Sequence, residues 1–184
     1  MAERFKAHAW KACWGASLSQ VRILFSPPGF IMEKLSTVFV YGTLSFDEII
    51  SALLGRKARG APAKIYGYKI VRITGKRYPG LIKSSNKKSS VEGMVHSDVS
   101  SEELKLLNTF EDDFYKLESE IVVCENGKTV TALTYIVPKE NLNFASSEEW
   151  DRGGFRRKHL ADYMKMVSEF RRSYLSGVKK SQEF

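Results

Sequence analysis

The stretch that most restricts how this chain can fold is Val38-Phe39-Val40-Tyr41-Gly42-Thr43-Leu44, in which β-favouring residues run straight into a glycine. A helical pattern from Asp47 to Leu54 follows at once, so the segment reads as strand, tight turn, helix. Ser45, with Glu48 three residues on, predicts a capping box for that helix, each cap worth roughly 1 kcal/mol. Gly55 suits the helix C-terminal end. A residue without a Cβ at a helix entrance lets an anion such as a carboxylate approach outward-pointing backbone N–H groups. The turn is therefore a candidate anion cradle, although glycine and serine also suit any strand-to-helix junction.

A chain of 184 residues, 43% of them hydrophobic, fits one domain with appendages and a real core. No apolar run approaches the roughly 18 residues that cross a bilayer, which argues against a membrane protein. Two cysteines, Cys13 and Cys124, stand at no metal-ligand spacing and make no disulfide framework, so a reducing, cytoplasmic setting is expected. The net charge of +8 invites a nucleic-acid reading, but its distribution speaks against one. Residues 1–31 hold four basic and one acidic side chain, 152–184 nine and three, and the region between sixteen and seventeen. A near-neutral centre suits a small-molecule pocket better than a phosphate-tracking groove. A basic terminal helix could still touch an acidic partner.

Residues 1–31 read as an extension, either disordered or alternatively initiated, or an organellar targeting segment, since they are basic, serine-containing and poor in acids. The domain is expected over 32–178, with a basic tail at 179–184. Ile65 to Ile73 reads as one β run with Tyr66, Tyr68 and Ile70 on one face. Tyr78-Pro79-Gly80-Leu81-Ile82 places an aromatic before a turn and a short strand. In the strand Val91-Glu92-Gly93-Met94-Val95-His96, Gly93 marks a bulge or a close backbone approach. Ser100 and Glu103 predict a second capping box, opening a helix with Leu104, Leu107 and Phe110 as its buried stripe. Asn126-Gly127 predicts a hairpin joining strands near Leu117–Cys124 and Thr129–Val137. Ser146 with Glu149 offers a third cap before Trp150, and Gly153-Gly154 should break that segment. Leu160, Tyr163, Val167, Phe170 and Tyr174 recur at three and four residues, predicting an amphipathic helix from Arg156 to Leu175.

No nucleophile motif, nucleotide loop, dinucleotide fingerprint or zinc spacing occurs. His8, His96 and His159 share no motif, and Cys124 falls in a predicted strand. What remains is a carboxylate and a set of tyrosines. Glu111 ends a short helix, where the dipole disfavours negative charge, and Asp112 and Asp113 follow it; both effects would raise its pKa toward that of a general base. Three acids after a helix also read as a solvated cluster.

Taken in order, Val38 to Leu44, Tyr78-Pro79 before Leu81-Ile82, Val91 to Val95, Glu102-Glu103-Leu104-x-x-Leu107-x-x-Phe110-Glu111 and Tyr115 resemble the γ-glutamyl cyclotransferase-like superfamily. The branch is similar to the avirulence-induced-gene proteins and the γ-glutamylamine cyclotransferases. The resemblance spans about residues 37 to 137 and implies an α+β fold, a small mixed β-barrel with flanking helices. It also implies a reaction in which the α-amino group of a γ-glutamyl unit attacks its own side-chain amide, releasing an amine or peptide and 5-oxoproline. Glu111 matches the general base, and Tyr41, Gly42, Thr43, Leu44, Ser45 and Phe46 match the loop holding the glutamyl α-carboxylate. Tyr115 matches a pocket tyrosine, and Tyr135 is a further one. A small-molecule γ-glutamyl substrate is implied, with no cofactor and no metal. Two positions depart from the family pattern: Asp112 stands where glycine is usual, and Leu117 where arginine is frequent. A non-catalytic member that keeps the pocket for a small molecule or a protein is the alternative.

Overall fold

The computed structural model describes residues 34–111 and 113–182. The extension expected over 1–31, with His8 and Cys13, lies outside the described residues, as do Asp112 and the last two residues of the tail. Among the described residues, seven strands and four α-helices follow in the order β1 (Ser36–Val40), α1 (Asp47–Leu54), β2 (Ala61–Tyr66), β3 (Tyr68–Arg72), β4 (Pro79–Lys83), β5 (Ser90–Val99), α2 (Ser101–Phe110), β6 (Lys116–Cys124), β7 (Thr129–Ile136), α3 (Arg152–Lys158) and α4 (Leu160–Gln182).

Five strands close a barrel in the order β1-β5-β2-β6-β7, and β3 and β4 form a separate two-stranded ribbon. Four of the barrel's pairings are antiparallel, whereas β7 closes onto β1 in parallel, through Val38 and Leu133. The expected small mixed barrel with flanking helices is what the chain forms.

Val38 to Val40 of strand β1 are apolar without interruption because they are covered on both faces. Alternate side chains point opposite ways along a strand. Phe39 and Tyr41 accordingly join one apolar cluster with Ile65, Leu81, Val95 and Val122, while Val38 and Val40 join another with Leu53, Leu107 and Val167 of the helices. Phe39 and Val38 are both 0% exposed, and full burial of a side chain of this kind contributes about 1.5–3 kcal/mol. Gly93 of β5 sits opposite this strand. A Cβ there would run into the Val40 carbonyl oxygen and the Phe39 ring, so the glycine marks the close approach its sequence context predicted.

The Ile65 to Ile73 run is not one strand. Gly67, at φ +76°, divides it into β2 and β3. Tyr66 consequently points to solvent, 51% exposed, while Tyr68 is buried, so the expected shared face does not exist. Ser100 and Glu103 do form their capping box at α2. The buried residues of that helix are Leu106 and Leu107, with Leu104 and Phe110 half-buried beside them.

Two other caps are corrected. The Ser45 hydroxyl donates to the Gly42 carbonyl, 2.7 Å away, and α1 begins after Phe46 with no side-chain cap. Glu48 pairs instead with Arg156, at 2.8 Å. Asp151, not Ser146, caps the next helix by accepting from the Gly154 N–H at 2.8 Å. Gly153 and Gly154 therefore sit in the first turn of α3 rather than breaking a helix. The terminal helix is longer than its apolar stripe: α3 and α4 meet at His159, and α4 continues past Gly177 to Gln182.

Candidate functional site

Tyr41 leaves β1 in extended conformation, and Gly42, at φ +56°, turns the backbone into a short 3-10 helix, Gly42–Ser45. Glycine is required twice over at this position. The positive φ is disfavoured for other residues, and a Cβ would overlap the Pro79 ring at the start of β4. The first N–H groups of such a turn, those of Gly42 and Thr43, have no acceptor within the helix itself. Gly42, Thr43, Leu44 and Ser45 are all buried.

The Tyr41 side chain ties the barrel to the ribbon. Its hydroxyl donates to the Tyr135 carbonyl at 2.8 Å and accepts from the Leu81 N–H at 3.2 Å. Tyr115, just before β6, donates to the Pro79 carbonyl at 2.7 Å. Tyr135, on β7, donates to Asn108 Oδ1 at 2.6 Å. Tyr163 of α4 shares a side-chain hydrogen bond with Thr43, so the terminal helix reaches the turn.

Glu111 stands at the C-terminal end of α2, where the chain leaves the helix at ψ 142° while the Glu111 N–H still donates to the Leu107 carbonyl at 2.9 Å. Its side chain is half-buried. Burial pushes the phenols of Tyr41, Tyr115, Tyr135 and Tyr163 well above their ordinary range, and the Glu111 carboxylate pushes each of them further. The four hydroxyls thus stay protonated, and those of Tyr41, Tyr115 and Tyr135 spend their protons on the Tyr135 carbonyl, the Pro79 carbonyl and Asn108.

These residues border one cavity of about 430 Å³. Of the residues named from sequence, Tyr41, Thr43, Leu44, Glu111, Tyr115 and Tyr135 line it. Gly42, Ser45 and Phe46 do not. Gly42 faces a separate depression beside Val91 and Trp150. Phe46 is core, its ring stacked on Phe155 at 5.7 Å with the Arg152 guanidinium 4.5 Å from its centroid.

Sequence reasoning missed the wall supplied by Tyr163, Met166 and Phe170 of α4, and the contributions of Tyr78, Asn108 and Asp113. Tyr78-Pro79 carried a signal, an aromatic before a turn; a tyrosine in an amphipathic stripe, such as Tyr163, carries none. Leu117, at one of the two departures from the family pattern, packs into the apolar cluster beside the helices and pairs with Tyr135. Among the described residues no group of three or more His, Cys, Asp or Glu side chains could hold a metal ion. No helix among them is long and apolar enough to cross a membrane.

Residues 38–152 match the family model for γ-glutamyl cyclotransferase, AIG2-like proteins. AIG2-like protein D of Arabidopsis thaliana is 29% identical over 139 residues, which cover 74% of this chain and 89% of that protein. A solution structure of another Arabidopsis thaliana protein aligns with a TM-score of 0.56 at 28% identity, covering 79% of this chain and 85% of its own. A solved γ-glutamyl cyclotransferase shares the fold, with a TM-score of 0.50 at 19% identity over 57% of this chain and 68% of that one. With its mixed barrel and its matched region running from β1 to the start of α3, this chain belongs to the γ-glutamyl cyclotransferase, AIG2-like family.

Proposed function

We propose that the protein is a γ-glutamyl cyclotransferase that releases 5-oxoproline from a γ-glutamyl amine or peptide. The observation that carries this reading is that Glu111 and the Tyr41–Leu44 turn border one cavity, so a single small substrate can meet both. The backbone N–H of Thr43, which lines the cavity, holds the α-carboxylate of the glutamyl unit. Glu111 accepts a proton from its α-ammonium. The freed nitrogen then bonds to the side-chain carbonyl carbon, and the bond from that carbon to the departing nitrogen breaks. The α-nitrogen loses a second proton as it becomes the lactam N–H, and the two protons it has given up, the first carried by Glu111, leave on the departing nitrogen as an ammonium, with nothing oxidised or reduced.

A substrate that brings its own nucleophile requires no serine, cysteine or histidine from the protein. It requires deprotonation and a bent, held chain. Base catalysis contributes on the order of 10²–10⁴ in rate, whereas fixing a near-attack geometry is worth roughly 7–11 kcal/mol. Orientation is therefore the larger effect, and the aromatic walls that confine the chain matter as much as the base. The family membership and the protonated phenols around Glu111 support the same reading. The purified chain, given a panel of γ-glutamyl amides and peptides, should release 5-oxoproline from at least one of them. Saturable binding of these compounds without any 5-oxoproline would instead make it a ligand-binding member of the family.

A further inference from the structure

The tyrosines that line the cavity differ in where their hydroxyl protons go. Tyr41, Tyr115 and Tyr135 donate to the Tyr135 carbonyl, the Pro79 carbonyl and Asn108 Oδ1. Those three hydroxyls belong to the wall. Tyr163 differs, because its partner is the Thr43 side chain, itself a hydroxyl, so the pair holds two protons for one hydrogen bond. Among the described residues no other group accepts from either hydroxyl. Thr43 is 6% exposed, Tyr163 is half-buried, and both border the cavity. The second proton therefore faces the space that a ligand fills.

The Tyr163 ring is packed on two sides. Phe155 meets it edge-on at 5.3 Å and Phe110 at 6.4 Å, and Phe155 stacks in turn on Phe46, the residue after the turn. A hydroxyl on a ring held in this way loses little freedom when a ligand arrives. Of the two hydroxyls the phenol is the more acidic, with an ordinary pKa of about 10, and is the better donor to an anion. The Thr43 hydroxyl, donating to the phenol oxygen, polarises it further, as successive hydrogen bonds do. The group beside Thr43 in the reaction above is the α-carboxylate. A neutral donor suits it at this place, because a cation there would also stabilise the Glu111 carboxylate and weaken it as a base.

We propose that Tyr163, on a helix beyond the residues that match the family model, is a substrate-binding residue whose phenol donates to the glutamyl α-carboxylate beside the Thr43 N–H, with the Thr43 hydroxyl donating to the phenol oxygen. The proposal rests on the cyclotransferase reading. The α-carboxylate keeps its charge throughout the reaction, so the contact is as strong in the bound substrate as in the transition state. Its loss raises KM and spares kcat.

The test uses the full chain and the best γ-glutamyl amide of the panel above, with γ-glutamyl n-butylamide the first to try. Beside it stands the α-carboxamide counterpart, in which a neutral amide of similar shape replaces the α-carboxylate. Release of the amine gives kcat and KM, and a counterpart that turns over too slowly is read as a competitive inhibitor. Tyr163→Phe should raise KM for the carboxylate compound by about tenfold, the size of a hydrogen bond to a charged group, with kcat within about twofold. The carboxamide should weaken by about threefold or less, since a neutral acceptor gains less from the phenol. Thr43→Val, which removes the polarising donor and keeps the phenol, should raise the same KM by about twofold to threefold. The urea midpoint of Tyr163→Phe should stay within about 0.5 M of the native chain, which shows that the variant is folded. Equal weakening of both compounds, a fall in kcat with KM unchanged, or a larger KM rise in Thr43→Val than in Tyr163→Phe would overturn the assignment and leave the cyclotransferase reading in place. If the native chain releases 5-oxoproline from no γ-glutamyl compound, that reading falls and the assignment with it.

Discussion

Tyr41→Phe separates a structural phenol from a substrate contact. The Tyr41 hydroxyl makes two buried hydrogen bonds, donating to the Tyr135 carbonyl at 2.8 Å and accepting from the Leu81 N–H at 3.2 Å. Each bond is worth about 0.5–1.5 kcal/mol net, and a buried donor left without a partner costs about 1–3 kcal/mol. Leu81 is 0% exposed, so its N–H gains no water when the hydroxyl is removed. The loss should be about 2–4 kcal/mol, a large part of the roughly 5–15 kcal/mol that stabilises a domain. At a urea slope of about 2 kcal/mol per molar, the unfolding midpoint should fall by about 1–2 M with the slope unchanged. KM for the best γ-glutamyl substrate should stay within about twofold, because the phenol oxygen is committed to the two backbone groups. A midpoint shift below about 0.3 M together with a KM rise of about tenfold would refute this division of labour: the hydroxyl would then be a substrate group.

Gly42→Ala should be destabilising by about 2–5 kcal/mol in equilibrium unfolding, from a positive φ costing roughly 1–2 kcal/mol and crowding against Pro79 costing about 1–3 kcal/mol. Because the turn and Pro79 both border the cavity, KM should rise as well, and an unchanged KM would detach the turn from the substrate. His96 is 1% exposed on β5, and neither ring nitrogen has a hydrogen-bond partner among the described residues. Burial lowers its pKa, with Arg56 acting in the same direction and Asp98 and Asp47 opposing. Below the unfolded value of about 6.5 the unfolded chain binds a proton that the folded chain does not. The His96 contribution is thus intact above that pH and is lost as pH falls toward the depressed folded value. His96→Leu should flatten the stability profile just below pH 6.5, measured by urea midpoints across that range, and an equally steep profile would exclude His96 as its source.

The barrel was legible where a local rule had no rival. Val38 to Val40 read as a strand, Gly93 as a bulge or a close backbone approach, of which the structure shows the second, Ser100 and Glu103 cap α2, and Asn126-Gly127 turns the β6–β7 hairpin. Legibility failed where two local rules competed for one group. Ser45 looked like the cap of α1, yet its hydroxyl satisfies the Gly42 carbonyl inside the 3-10 turn, a choice set by how the turn packs on Pro79. Gly67 reversed the faces of an otherwise continuous β run. In the site, Glu111, Tyr115 and the turn were within reach because residue order along the chain resembles a family. The α4 wall was not: Tyr163, Met166 and Phe170 belong to a stripe or its edge, and periodicity cannot separate a residue facing a core from one facing a cavity. Only the packing of α4 beside the turn, through the Tyr163–Thr43 hydrogen bond, makes that distinction.

The most direct measurement is 5-oxoproline release by Glu111→Gln compared with the native chain, alongside binding of the same γ-glutamyl substrate. The substitution keeps the shape of the side chain and removes its ability to take a proton. If Glu111 is the base, turnover should fall by about 10²–10⁴ while the substrate still binds with similar affinity. Release of 5-oxoproline at the native rate by Glu111→Gln would contradict that role and with it the proposed site.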